Sequence, residues 1–225
     1  MEIEILGRAA DYLVCCKLPG LESEHQLPSL LEAQLNLSPG TVRCVHRLDR
    51  AVGGVMVYAL TPKGAAHLSA QVQDHTLRKE YLALCAGIPE PAAGEMADYL
   101  YQDKAKGRAY PVKKLRRGVK EARLEYQVKA SRPLDEGTVS LVQIKLHTGR
   151  FHQIRCQFAA RKMPLLGDGK YGSRIKAAGP ALFSCKLSFL DPVTRRRVDC
   201  TAQPPAETFP WNLFYLHKKT APESQ

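Results

Sequence analysis

Apolar and polar positions change period several times along the chain, and the changes mark its elements. Tyr12-Leu13-Val14-Cys15-Cys16 is an unbroken apolar run of strand length, and Pro19-Gly20 turns the chain soon after it. In a strand, Cys15 and Cys16 point to opposite faces. Pro28-Ser29 precedes Leu30-Leu31-Glu32-Ala33-Gln34-Leu35, which predicts a short helix capped by Ser29 with Glu32 as the reciprocal partner. Val55 to Leu60 is β-branched and aromatic and predicts a strand. Thr61-Pro62 then opens a helix to about His75, with Ala65, Leu68 and Val72 on one buried face. Arg78 to Cys85 predicts a strand containing Tyr81, and residues 86–95 a loop. From Ala122 to Lys129 the alternation is strict: Leu124, Tyr126 and Val128 face one way, Arg123, Glu125, Gln127 and Lys129 the other. Val139 to Leu146 repeats the pattern, so the two are expected to pair antiparallel. Thr148-Gly149 turns the chain into a helix ended by Met163-Pro164, with Phe151, Ile154 and Phe158 on its apolar face. Ala181 to Leu190 and Val193 to Thr201 predict two last strands around Asp191-Pro192, with Arg195, Arg196 and Arg197 opening the second.

At 225 residues the chain has room for one large or two small domains. Its hydrophobic content of 44% is ordinary for a soluble globular protein. No apolar run is long enough to cross a bilayer, so no membrane partner is expected. Met1-Glu2-Ile3-Glu4 carries acids where an export signal carries bases. The seven cysteines are scattered and include no CxxC pair, which argues against a disulfide framework and a zinc site. They predict reduced thiols in a cytoplasmic protein. The glycines of Leu166-Gly167-Asp168-Gly169-Lys170-Tyr171-Gly172 do not match a phosphate-binding loop, so neither a nucleotide cofactor nor a metal is expected.

Charge changes the picture more. The net charge is +11, and the excess is clustered. Between 101 and 120, Lys104, Lys106, Arg108, Lys113, Lys114, Arg116, Arg117 and Lys120 stand against Asp103 alone, on a predicted hairpin or irregular loop. Arg195-Arg196-Arg197 forms a second cluster. Such clusters are solvated hairpin tips or the footprint of a polyanion, and two of them under a basic total favour a nucleic acid whose phosphates they contact without reading its sequence.

The candidate chemistry lies in two stretches. Cys44-Val45-His46-Arg47-Leu48-Asp49-Arg50 sets one carboxylate between two arginines, followed by Val52-Gly53-Gly54. Alone, it reads as a surface ion pair, or as an anion for chemistry beside cations that grip phosphates. Thr148-Gly149-Arg150-Phe151-His152-Gln153-Ile154-Arg155 crowds Arg150, His152, Gln153 and Arg155 into one short segment.

Together these stretches resemble signature motifs of the RluA-type pseudouridine synthases. Lys79-Glu80-Tyr81-Leu82-Ala83 resembles a third motif, and Leu166-Gly167-Asp168 with Tyr171-Gly172 a fourth, in the family's order, over roughly residues 10 to 205. Val52-Gly53-Gly54 departs from the family's Thr-Ser-Gly, Lys17-Leu18-Pro19-Gly20 from its Lys-Pro-x-Gly, and Cys156-Gln157 from its Val-His. The resemblance implies isomerisation of uridine to pseudouridine in ribosomal or transfer RNA, without redox change or cofactor. The base must leave its stack, so the partner is a structured RNA whose target uridine sits in a loop or is otherwise easily flipped. Asp49 maps to the catalytic acid residue, acting on the ribose by attack at C1′ or by assisting loss of a 2′ proton. Arg155 maps to its ion-pair partner, and Tyr81 to a tyrosine that stacks on the target base. By the same resemblance Arg47 fills the place of the flipped base, Ile154 lines the uracil pocket, and Thr148, Gly149 and Arg150 shape the cleft.

Successive strand readings and the resemblance together predict an α+β fold: a largely antiparallel mixed sheet flanked by helices, with a catalytic cleft across it. Residues 1–217 are expected to form one catalytic domain without an appended RNA-binding domain, and 218–225 a disordered tail. A monomer is the default expectation. Two other functions compete: a catalytically silent RNA-binding protein that keeps the cleft, and a hydrolase pairing Asp49 with His46 or His152.

Overall fold

The computed structural model describes residues 1–135 and 137–214; the expected tail at 218–225 lies outside them. Strands β1 (Glu4–Arg8), β2 (Tyr12–Lys17), β3 (Arg43–Cys44), β4 (Gly53–Ala59), β5 (Arg78–Ala86), β6 (Ala93–Asp103), β7 (Arg108–Val112), β8 (Val119–Leu134), β9 (Gly137–Leu146), β10 (Leu182–Leu190) and β11 (Arg197–Thr201) join in one sheet. Its order is β1-β2-β4-β10-β5-β9-β8-β6-β7, with β3 added to β4 and β11 to β10. Only β4 and β10 pair in parallel among the described strands. The mixed, largely antiparallel α+β architecture is the one expected.

The alternation places the core on both faces. Leu13 and Cys15 of β2 join Met56, Tyr58, Tyr81, Val142 and Ile144 in one cluster. Helices α1 (Gln26–Gln34) and α3 (Gln153–Ala160) cover it with Leu27, Leu31, Ile154 and Phe158. Val14 and Cys16 turn the other way, where α2 (Pro62–Gln73) lays Leu68 on Val55, Val57 and Phe189. Helix α2 begins as read: Thr61 Oγ1 accepts the Gly64 amide at 3.0 Å, with Pro62 in the first turn.

Three local expectations are corrected. Helix α1 starts earlier than Ser29, because Glu22 captures the amides of Glu24 and His25 ahead of it and of Gln26, its first residue. Ser29 bonds back to the His25 carbonyl, and Glu32 turns inward to take the Val42 amide at 2.8 Å. Phe151 lies outside α3 and packs with Cys156 and Tyr171 rather than with Ile154 and Phe158. Arg195 and Arg196 sit in the turn before β11, with Arg195 at φ +59°, and only Arg197 is in the strand.

The Gly53-Gly54 pair has a packing reason, although only Val52 and Gly53 depart from the resembled Thr-Ser-Gly pattern. Gly54 has φ +123°, and a Cβ there would overlap the Ser184 backbone, coming within 2.6 Å of its amide nitrogen. Glycine at 54 therefore admits β10 beside β4, at the one parallel pairing. A Cβ on Gly53 would reach 3.0 Å from Pro19 Cδ, so Gly53 fits under the Lys17–Gly20 turn. Gly54→Ala should cost about 3 kcal/mol or more by overpacking, measured as a lowered urea midpoint; an unchanged midpoint would refute this reading.

Candidate active site

The Asp49 loop, between β3 and β4, is fixed from several sides. Ser23 Oγ donates to the Leu48 carbonyl at 3.0 Å and accepts the Leu48 amide at 3.3 Å. Tyr58 donates to the Ser23 carbonyl at 2.8 Å. The buried Lys17 ammonium donates to the carbonyls of Leu18 and Arg50, each at 3.1 Å, and the Gly20 amide to that of Arg50 at 2.8 Å. Burial pushes the Lys17 ammonium down to about 8, opposed chiefly by Asp49. With Leu48 buried beneath it, Asp49 is held at the floor of a cleft of about 1040 Å³.

That cleft gathers every residue expected to do chemistry or hold the base. Arg47, Asp49, Tyr81, Thr148, Gly149, Arg150, Ile154 and Arg155 all line it. Tyr81 comes from the middle of β5, buried on the same face as Leu48, Ile154 and Leu182. Burial first, then the Asp49 charge, pushes its phenol well above the ordinary value, so it is a neutral donor. Arg47 is exposed at the rim, 3.4 Å from Glu24. The turn after β9 is stitched by Gln153: Thr148 Oγ1 donates to its Oε1 at 2.7 Å, the Arg150 amide donates there at 3.1 Å, and its Nε2 donates to the Arg123 carbonyl at 3.1 Å. Arg150 donates to the Glu121 carbonyl at 2.8 Å.

Arg155, in the first turn of α3, meets Asp49 as expected, but Asp49 is the lesser of two partners. Its Nη1 donates to Asp49 Oδ2 at 3.0 Å, while Nε and Nη2 grip the buried Asp168 in a fork at 2.7 and 2.9 Å. Burial works against the Arg155 charge, yet the bonds to Asp168 and Asp49 outweigh it and hold its proton more firmly than usual. Asp49 Oδ1 has no hydrogen-bond partner among the described residues. A carboxylate held through one oxygen, with the other free in a cleft, can attack carbon or take a proton.

Of the neighbours, His152 enters the sequence reading only in the hydrolase alternative, and Asp168, Tyr171 and Lys79 carry no role there. His152 stands with Nε2 3.5 Å from Asp49 Oδ2, and Asp168 and Tyr171 close the site behind Arg155. Lys79 lines the cleft, its ammonium pushed down to about 8 by burial. The motif spacing holds Asp168 and Tyr171 already; their contacts need the folded chain. His46 is not the partner of Asp49. Its Nε2 accepts the Val57 amide at 3.1 Å, inside the core. The hydrolase pairing thus fails for His46; His152 is the histidine beside Asp49, and the neighbouring carboxylate, Asp168, is occupied by Arg155.

The basic clusters lie outside the residues that line the cleft. Lys104, Lys106, Lys113, Lys114, Arg116 and Arg117 are exposed on the β6–β7–β8 hairpins, as are Arg195 and Arg196 in the β10–β11 turn and Arg197 at the start of β11. Arg108 differs: it is half-buried, its guanidinium packed 5.2 Å from the Tyr171 ring centre and 5.8 Å from that of Tyr110.

Burial holds both inner histidines neutral: His46 well below its usual range, with Lys79 adding to the effect, and His152 at about 4, where Asp49 partly offsets burial. In the unfolded chain both titrate near 6.5. Between these values the unfolded chain binds more protons, so stability falls as pH drops from 7 to 5. The urea midpoint should drop over that interval, and drop less in His46→Gln, which keeps an acceptor for Val57 but cannot titrate. Equal drops would remove His46 as a source.

A family model described as RNA pseudouridylate synthase matches residues 11–160. An uncharacterized RNA pseudouridine synthase of Bacillus subtilis, YhcT, is 32% identical over 77% of this chain and 56% of its own length. Ribosomal large subunit pseudouridine synthase D of Zymomonas mobilis is 31% identical over 72% of this chain and 53% of its own. The chain thus spans little more than half the length of these two relatives. In fold it is similar to human RNA Pseudouridylate Synthase Domain Containing 1 and 4, each with a TM-score of 0.73 over 90% of this chain, at 25% and 23% identity and covering 84% and 88% of theirs. With the family matched over residues 11–160, and relatives more than 30% identical across over two thirds of its length, the chain belongs to the RluA-type RNA pseudouridylate synthase family.

Proposed function

We propose that this chain isomerises uridine to pseudouridine in a structured ribosomal or transfer RNA. The observation that carries the reading is the free Oδ1 of Asp49 beside Tyr81 in a cleft backed by Arg155. In the reaction the N1–C1′ bond breaks and C5 bonds to C1′. The C5 proton leaves to water and N1 gains one, so electrons balance without a cofactor. Asp49 acts on the ribose, at C1′ or at the 2′ proton. Tyr81 stacks on the base, Ile154 walls the uracil, and Thr148, Gly149 and Arg150 shape the entrance. Arg47, exposed at the rim, occupies the space the base vacates; a planar guanidinium suits that place. Residues 1–217 act as one catalytic domain, as a monomer. The free cysteines favour the cytoplasm.

The test is to incubate ribosomal and transfer RNA from cells lacking the protein with wild type and with Asp49→Ala, then map pseudouridine by carbodiimide block of reverse transcription. Sites made by wild type alone support the reading and name the substrate. RNA binding by both proteins with no new site would instead support a silent binder.

The exposed bases should supply phosphate contacts. Lys113→Ala with Arg116→Ala removes two charges, so the slope of log K against log salt should shallow by about 1.8 if both neutralise duplex phosphates, or about 1.4 for single strands. A slope equal to wild type would remove this hairpin from the footprint.

A further inference from the structure

We propose that His152 is a positioning residue: in its Nε2–H tautomer it is a second donor to Asp49 Oδ2 beside Arg155, leaving Oδ1 as the oxygen that meets the substrate. This inference rests on the synthase reading for what Asp49 does, but not for the tautomer.

The tautomer follows from counting hydrogens. The Tyr171 hydroxyl accepts the Ala109 amide at 2.7 Å, and that donor cannot be anything else. The same hydroxyl lies 3.1 Å from His152 Nδ1. Burial pushes the Tyr171 phenol up to about 12, so it keeps its hydrogen, and among the described residues no other group is placed to accept it. Were Nδ1 protonated, two N–H groups would point at one oxygen and the phenol hydrogen would be stranded. Tyr171 therefore donates to Nδ1, and the single hydrogen of the neutral imidazole sits on Nε2, the atom that faces Asp49.

The ring has little freedom to do otherwise. Phe151 stacks on it at 3.9 Å between centroids, nearly parallel, and Tyr171 meets it edge-on at 5.6 Å. Only 9% of the side chain is exposed. His152 also adopts φ +51° and ψ +28°, a left-handed conformation that non-glycine residues seldom use. That conformation lets the residue end the turn, start α3 through its carbonyl, and still aim its imidazole into the cleft. At 3.5 Å the contact with Oδ2 is long, as catalytic contacts commonly are before substrate binds. The remaining charged groups near the ring are Arg155, Lys170 and Asp168, and of these Arg155 and Asp168 are committed to each other. Ala109 belongs to β7, so the basic hairpin itself supplies the contact that sets the tautomer.

The experiment has two readouts. Bulk RNA labelled with 5-tritiated uridine, from cells lacking the protein, reports turnover by tritium release, and its affinity is measured separately. His152→Ala should slow release about 10- to 100-fold with affinity nearly unchanged, since a misplaced reacting group costs rate rather than binding. His152→Gln puts an amide donor near the Nε2 position and should recover most of the rate. Tyr171→Phe should slow release less than His152→Ala. Nitrogen-15 NMR of labelled histidine should report Nε2–H for His152 in wild type and a mixture of tautomers in Tyr171→Phe. A Gln variant as slow as Ala, a loss confined to affinity, or an Nδ1–H tautomer in wild type would each overturn the proposal. If wild type itself releases no tritium, the synthase reading fails, and the NMR result still decides the tautomer.

Discussion

Asp49→Ala should abolish pseudouridine formation, with a loss of at least about 1000-fold, while the protein folds and binds RNA as before. The structure separates these outcomes. Arg155 keeps its fork to Asp168 when Asp49 is removed, and the buried Lys17 ammonium, which loses its chief balancing charge, keeps its bonds to the Leu18 and Arg50 carbonyls. Asp49 itself is 25% exposed in its side chain, and its loop is anchored by Ser23, Lys17 and Gly20 through backbone atoms that the substitution leaves alone. Stability should therefore change by less than about 1 kcal/mol. Asp49→Asn is the sharper control: it retains an acceptor for Arg155 and the shape of the side chain but not the charge. It should be as inactive as Asp49→Ala. Substantial activity in Asp49→Asn would mean that the carboxylate is neither the nucleophile nor the base, and another group would have to be sought in the cleft.

Much of this was legible because it is local. The strict alternation at 122–129 fixes which face of β8 is buried, and Leu124 and Tyr126 are in the core. Thr61-Pro62 marks the start of α2 without help from the rest of the chain. The Ser29–Glu32 spacing imitates a capping box and places the start of α1 too late, whereas the Glu22 carboxylate reaches the amides of Glu24, His25 and Gln26, the last of these the first residue of the helix. Helical spacing puts Phe151 on α3 because it cannot register the left-handed His152 that separates Phe151 from the helix. The Asp49–Arg155 pair spans 106 residues and came only from the motif resemblance, not from any periodicity. Asp168 and His152 stood inside the same motifs. Nothing in their spacing says that one holds the arginine and the other the acid, because both contacts are made by chain segments that meet only when β3, α3 and the turn after α3 converge.

Asp168 is where the second large effect should appear, and there it should be seen in stability as well as activity. Its carboxylate is almost fully buried and its bonds to Arg155 are the two-point fork that fixes the guanidinium plane. Asp168→Ala leaves Arg155 buried with only Asp49, at the cleft floor, to balance it. Removing one partner of a buried pair costs about 3–5 kcal/mol, which for a chain of this size lowers the melting temperature by roughly 10 °C. The freed guanidinium would also turn toward Asp49 and claim Oδ1 as well as Oδ2, so the rate should fall further than RNA affinity does. The double variant Arg155→Met with Asp168→Leu separates the two effects. Apolar side chains of similar volume can replace a buried ion pair at little cost, so most of the stability should return. Activity should not, because nothing then holds Asp49 Oδ2 except His152. A single Asp168→Ala variant within about 1 kcal/mol of wild type would show that water already reaches the pair. An active double variant would show that Asp49 needs no arginine to be aimed.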